Sequence, residues 1–177
     1  TQASLLHAIE LPSYGGDTMF CSMAAAYDQL SEPMKMFLEG LTATHDYTHV
    51  YDTFFKHLPD RPPLPDEAKA KVPPVVHPVV RTHPDTAKKA LYVNPGFTRH
   101  INELSPAESR ALLDYLFAHC QQPHLIYRHM WAPGDLLIWD NRCTCHLAVA
   151  DYDMDEHRHL IRTSVEGDVP TLVRDAH

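Results

Sequence analysis

Apolar residues along this chain follow two periods. The runs Ser4-Leu-Leu-His-Ala-Ile-Glu10, Asp135-Leu-Leu-Ile-Trp139 and Arg158 to Val165 are short, apolar-rich and bounded by turn formers, which predicts strands. Pro12-Ser-Tyr-Gly-Gly16 turns the chain sharply after the first, and Thr18 follows that turn. Pro133-Gly134 opens the second and Asp140-Asn141 stops it, so His146 is expected just past a strand end. Met23, Ala24, Ala26, Tyr27 and Leu30 recur instead at helical spacing. A second helix is expected from Glu32 to Leu41, with Ser31 as N-cap and Pro33 in its first turn. Its Met34, Met36, Phe37 and Leu41 are expected in the core, as is His7 of the first strand. Ser105-Pro106-Ala107-Glu108 is a capping box, with Ser as N-cap, Pro at N1 and Glu at N3, and opens a helix to about His119.

Between these elements the pattern weakens. Leu58 through Pro84 is rich in proline, which excludes a central strand or a long helix, and reads as a lid-like loop. Extended structure resumes over Val75 to Arg81 and again over Ala90 to Asn94, with His83-Pro84-Asp85 read as a turn. Thr42 to Tyr51 holds His45, Tyr47, His49 and Tyr51, a density that invites a metal reading; a hydrogen-bonded structural role is expected for His45. With 177 residues, 44% of them hydrophobic, 1–177 is long enough for one sizeable core and is expected to form a single domain.

Composition narrows the partners. A net charge of −8 leaves no broad basic surface and argues against nucleic acid, whose phosphates need clustered Lys and Arg. A small anion must then be met by individually placed arginines. No apolar run approaches the ~20 residues that span a bilayer, and no signal peptide is visible. The four cysteines form no spaced framework, so the expected compartment is the cytoplasm, with reduced thiols and no membrane partner. Cys143-x-Cys145-His146 offers zinc-type ligands, but on an extended segment the two cysteines share a face that His146 does not.

Arg158 and Arg162 are the candidates for holding anions. Four positions apart on a strand, they share a face at roughly 13 Å separation. Each planar guanidinium can meet a carboxylate or sulfonate with two hydrogen bonds.

Four ordered motifs, Leu11-Pro-Ser-Tyr-Gly-Gly-Asp-Thr18, His77-Pro-Val-Val-Arg-Thr-His-Pro84, Leu91-Tyr-Val-Asn-Pro-Gly-Phe97 and Trp139-Asp-Asn-Arg-Cys-Thr-Cys-His146 with Arg158 and Arg162, resemble the taurine dioxygenase (TauD/TfdA) family. The resemblance covers nearly the whole chain. It implies a mostly β fold with flanking helices, a double-stranded β-helix of the jelly-roll, cupin-like kind. It implies Fe(II), 2-oxoglutarate and O2 as the reaction's requirements, ascorbate as a support in vitro, and a homo-oligomer. His146 matches the family's distal iron-ligating histidine. Arg158 and Thr18 match the pair that takes the far carboxylate of 2-oxoglutarate. Arg162 matches the arginine that receives the substrate's anionic group, Phe97 an aromatic wall of that pocket, and Tyr51 a further aromatic contact. The family's His-x-Asp pair of iron ligands would lie before Thr1, so the chain is expected to lack an N-terminal portion of the β-helix. The implied reaction is hydroxylation of taurine or a related alkylsulfonate, with release of sulfite and an aldehyde. An alkylsulfate or an aryloxyalkanoate would suit Arg162 equally, and a non-catalytic anion-binding β-helix remnant is the alternative from another class.

Overall fold

A computed structural model of the protein describes residues 1–55 and 62–173. The chain divides into two compact units. The first holds Thr1–Gln29, His83–Ala90 and Cys120–Val169; the second holds the described residues of Leu30–Thr82, Leu91–His119 and Pro170–His177. Leu58, Pro59 and their neighbours up to 61, the start of the expected lid, lie outside the described residues.

The first unit is built from two antiparallel three-stranded sheets. One has β1 (Ala3–Glu10) at its centre, between β9 (Leu136–Asp140) and β11 (His159–Val165). The other has β2 (Thr18–Ser22) at its centre, between β8 (Ile126–His129) and β10 (Thr144–Ala148). Register decides which side chains meet. Ser4 lies opposite both Trp139 and Ser164, and Leu6 opposite both Leu137 and Arg162, so these six share one face. Phe20 lies opposite His146, and Thr18 opposite Ala148. The rings of Phe20 and His146 close on Trp139 at 5.2 and 4.9 Å between centroids, which locks the two sheets face to face. Helix α1 (Met23–Asp28) follows β2 directly, capped by the Ser22 hydroxyl, which accepts from Ala25 N.

The second unit contains α2 (Glu32–Leu38), α3 (His49–Thr53), α4 (Asp66–Ala70) and most of α5 (Pro106–Cys120). Its sheet has β3 (Thr42–His45) between β4 (Val75–Pro78) and β7 (Thr98–Ile101). Strands β5 (Val80–Thr82) and β6 (Lys89–Leu91) complete the chain. The capping box forms as the sequence predicts: Ser105 N donates to Glu108 Oε2 and Glu108 N to Ser105 Oγ.

Several expectations are corrected. His146 lies inside β10 instead of beyond a strand end, because Thr144–Ala148 pairs with β2, a strand the sequence reading passed over. His7 is exposed, since it stands on the outer face of its sheet among Ile9, Leu136, Ile138 and Ile161, which are 44–59% exposed. The second helix ends at Leu38, three residues early, and its Met36 and Phe37 are exposed while Leu38 is fully buried. Val75–Pro78 is a paired strand, as the expected return to extended structure requires, and Val79 to His83 are buried, so it is the lid reading of the end of the proline-rich stretch that is corrected.

His45 shows what burial does to an imidazole. Thr98 Oγ1 lies 3.3 Å from its Nδ1, while its Nε2 is buried without a hydrogen-bond partner among the described residues. Burial first, then the neighbouring His77, pushes its pKa down to about 4. The folded state therefore refuses a proton that the unfolded chain accepts near 6.5. The resulting stability is present above 6.5 and is lost progressively as pH falls to about 4, a loss on the order of 3 kcal/mol. Urea midpoints measured across this range should fall more steeply for the parent than for His45→Gln; parallel curves would contradict this account.

Candidate functional site

Four of the sequence-predicted site residues come together in the first unit. Thr18 opens β2, His146 stands in β10 diagonal to it, Arg158 immediately precedes β11, and Arg162 lies within β11. Diagonal neighbours across an antiparallel pair sit roughly 7–8 Å apart. Phe97 and Tyr51 belong to the second unit. There Tyr47 links them, stacking on Phe97 at 6.0 Å and meeting Tyr51 edge-on at 6.1 Å.

Arg158 is held by one end only. Its Nε donates to Gly16 O at 2.8 Å, while its Nη2 is buried and has no hydrogen-bond partner among the described residues. A charged donor left unmet inside a protein is costly, so an anion is the natural complement. Gly16 makes room for this arm: its φ is +69°, and a Cβ there would stand 3.1 Å from Arg158 Cδ and Nε. The turn is backed by Asp151, which accepts from Gly16 N, and by Arg128, which bridges Asp17 and Asp151 at 2.6 Å each.

Arg162 is aimed by a chain of polar contacts. Its Nη2 donates to Ser4 Oγ, which also accepts from Asn141 Nδ2, whose Oδ1 accepts from Trp139 Nε1. Ser4 is fully buried, so this chain has little freedom. A serine buried within an apolar strand was the available signal for it.

His146 is exposed by surface area, yet its ring is crowded by Phe20 and Trp139. Desolvation, then the charge of Arg162, holds its pKa below the ordinary 6.5, so the ring is neutral at pH 7 and keeps a lone pair available. That suits a metal ligand. Among the described residues, however, the one group of three or more ligand-type side chains within 4.8 Å is His83, Asp140 and Cys143, which excludes His146. Asp140 in that group is already bound by Arg142, which leaves it poorly placed for a cation. His146 thus fits one position of an iron site, and the described residues do not supply a complete one. The zinc reading also fails: Cys145 faces Cys21 across the sheet, away from His146, and burial followed by Cys21 pushes its thiol up to about 11.

Sequence reasoning treated Asp140-Asn141 and His83-Pro84-Asp85 only as turns. His83 does organise a turn, its Nδ1 accepting from Asp85 N and Thr86 N. Its Nε2 also meets Asp140 Oδ2 at 2.9 Å, and Arg142 joins Asp140 and Asp85. Contacts spanning 57 positions leave no local trace.

The first unit is thus a β-rich frame whose two arginines suit a small organic anion. A model of the taurine catabolism dioxygenase TauD, TfdA family matches residues 1–164, and the chain belongs to that family. It is 40% identical over 168 residues to the alpha-ketoglutarate-dependent 2,4-dichlorophenoxyacetate dioxygenase of Burkholderia sp. strain RASC, covering 93% of this chain and 53% of that protein. It is 37% identical over 164 residues to the alpha-ketoglutarate-dependent sulfonate dioxygenase of Saccharomyces cerevisiae, covering 92% and 38%. Among solved structures it is similar to AAD-2 in complex with Mn(II) and N-oxalylglycine, with a TM-score of 0.84 at 35% identity, covering 97% of this chain and 66% of that one. The chain spans about half the length of the curated relatives it matches. No helix among the described residues is long and apolar enough to cross a membrane.

Proposed function

We propose that the protein is an Fe(II)- and 2-oxoglutarate-dependent dioxygenase acting on a small organic anion, and that this chain carries its cosubstrate- and substrate-binding half. The observation that supports this most is the buried, unpartnered Nη2 of Arg158, whose Nε is tethered to Gly16, two residues before Thr18. A carboxylate is planar and accepts only, so it would satisfy that donor and the neighbouring hydroxyl together. Arg162, aimed through Ser4, would take the substrate's anionic group. His146 would provide one iron ligand, with the other protein ligands coming from outside the described residues. Iron, when bound, supplies the oxygen chemistry; the part of this chain is to orient the two anions beside it.

The two sheets are read as part of one double-stranded β-helix domain. A sulfonate such as taurine is the first substrate choice, since tetrahedral oxyanions and guanidinium forks match well. The relatives act by name on a sulfonate and on 2,4-dichlorophenoxyacetate, so an aryloxyalkanoate and an alkylsulfate stand next. The test is 2-oxoglutarate-dependent formation of succinate by the natural protein with iron, together with sulfite release from taurine. Both products are expected. Succinate with an aryloxyalkanoate alone would reassign the substrate, and no succinate with any of these anions would favour a non-catalytic anion-binding module.

A further inference from the structure

Trp131 was assigned no role by the sequence reading, yet its indole Nε1 donates to Thr18 Oγ1 at 3.0 Å. A threonine hydroxyl has one hydrogen and two lone pairs, and an indole N–H can only donate. The indole therefore occupies a lone pair of Thr18. Thr18 is 2% exposed, so water does not compete freely for the rest of the hydroxyl. The hydrogen of that hydroxyl has no acceptor among the described residues. It must point away from the indole, and it is unspent.

Two unspent donors thus flank the Gly16 turn: the neutral O–H of Thr18 and the charged Nη2 of Arg158. We propose that Trp131 is a positioning residue for the cosubstrate, fixing the Thr18 hydroxyl as a donor toward the carboxylate that Arg158 receives. This rests on the reading of Arg158 and Thr18 as the 2-oxoglutarate site. Without the indole, the hydroxyl is free to rotate and to spend its hydrogen elsewhere, and the carboxylate loses an aligned partner.

The indole is itself held. The ring of His129, which lies opposite Thr18 in the sheet, meets it edge-on at 4.6 Å. Asp135 clamps the turn that follows, its Oδ2 accepting from Ala132 N at 2.9 Å and lying 3.3 Å from His129 Nε2. Position 131 is therefore rigid before any ligand arrives, so the hydroxyl is oriented in advance.

The experiment titrates 2-oxoglutarate into the protein and its variants, reading the dissociation constant by calorimetry and the indole N–H signals by NMR. Trp131→Phe keeps an aromatic ring against His129 and removes the donor. It should weaken binding by about 5- to 10-fold, the scale of one aligned hydrogen bond. Thr18→Val should weaken it at least as much, and the double variant should bind no worse than Thr18→Val alone, because the two residues act as one unit. In Thr18→Val without ligand, the Trp131 indole N–H signal should move, and in Thr18→Ser it should stay. An additive double variant, an unchanged affinity in Trp131→Phe, or an indole signal indifferent to Thr18→Val would overturn the proposal. An unchanged affinity in Arg158→Ala would instead overturn the site reading beneath it. Should Trp131→Phe fail to fold, the indole signal in the two Thr18 variants decides.

Discussion

Replacing Arg158 by alanine is expected to weaken 2-oxoglutarate binding by about 100-fold or more, the largest binding effect of any single change in this chain. Truncating one partner of a buried, hydrogen-bonded charge pair costs about 2–5 kcal/mol. Arg158 meets the conditions for a cost in that range. Its Nη2 is buried and unmet, and its Nε is tethered to Gly16 O, so the arm is already aimed and little order is lost on binding. Arg158→Lys restores charge but neither the fork nor the tether geometry, so it should recover only a small part of the affinity. Calorimetric titration of the three proteins checks both statements, and a lysine variant equal to the parent would show that charge alone suffices.

Removing the Asp140 carboxylate is expected to have the largest effect on stability. Asp140 accepts from Arg142 N at 2.7 Å, from Arg142 Nη2 at 2.7 Å and from Arg142 Nε at 3.0 Å, and its Oδ2 lies 2.9 Å from His83 Nε2. Arg142 is buried and would keep, among the described residues, only the carboxylate of Asp85, which is largely exposed. Breaking such a pair from one side leaves a buried charge uncompensated, at about 3 kcal/mol. Asp140→Ala should lower the urea midpoint accordingly, and Asp140→Asn by less, since the amide oxygen still accepts. The pH dependence has a definite sign. Burial tends to raise the Asp140 pKa, but hydrogen bonds from Arg142 and then His83 outweigh it and hold the carboxyl well below the usual 3.8. Its stabilisation is therefore full above 3.8 and lost as pH falls from there through the lower folded value. Asp140→Ala should lack this acid limb; a variant with the parent's midpoint and acid limb would refute the role.

Much of the frame was legible because its signals are local. The capping box at Ser105, the strand ending at Trp139 and the helix after Ser22 depend on residues within a turn of one another. The anion-binding candidates were legible from residue type and motif, but the shared strand face expected for them is not what holds them: Arg158 immediately precedes β11 and is tied to Gly16, while Arg162 lies within β11 and is tied to Ser4. What escaped was β2 and β10, short strands whose alternation is blurred. Met19 and Cys21 look one way and Thr18 and Phe20 the other, all of them largely apolar. Of the core positions expected in the second helix Leu41 is buried, while Met36 and Phe37 are exposed for a related reason: three large apolar residues in a row, Met36-Phe37-Leu38, do not say which of them faces inward.

The order of motifs, the helix starts and the identities of His146, Thr18, Arg158 and Arg162 are properties of the amino-acid sequence alone. Tertiary structure decided their partners. Thr18 and Trp131 lie 113 positions apart, and Ser4 and Arg162 158 apart. Cross-strand register joins them, and register emerges only when six strands choose neighbours at once. A side chain's chemistry is written at its own position, whereas the direction of a hydroxyl's hydrogen or an arginine's free arm depends on what the fold brings beside it.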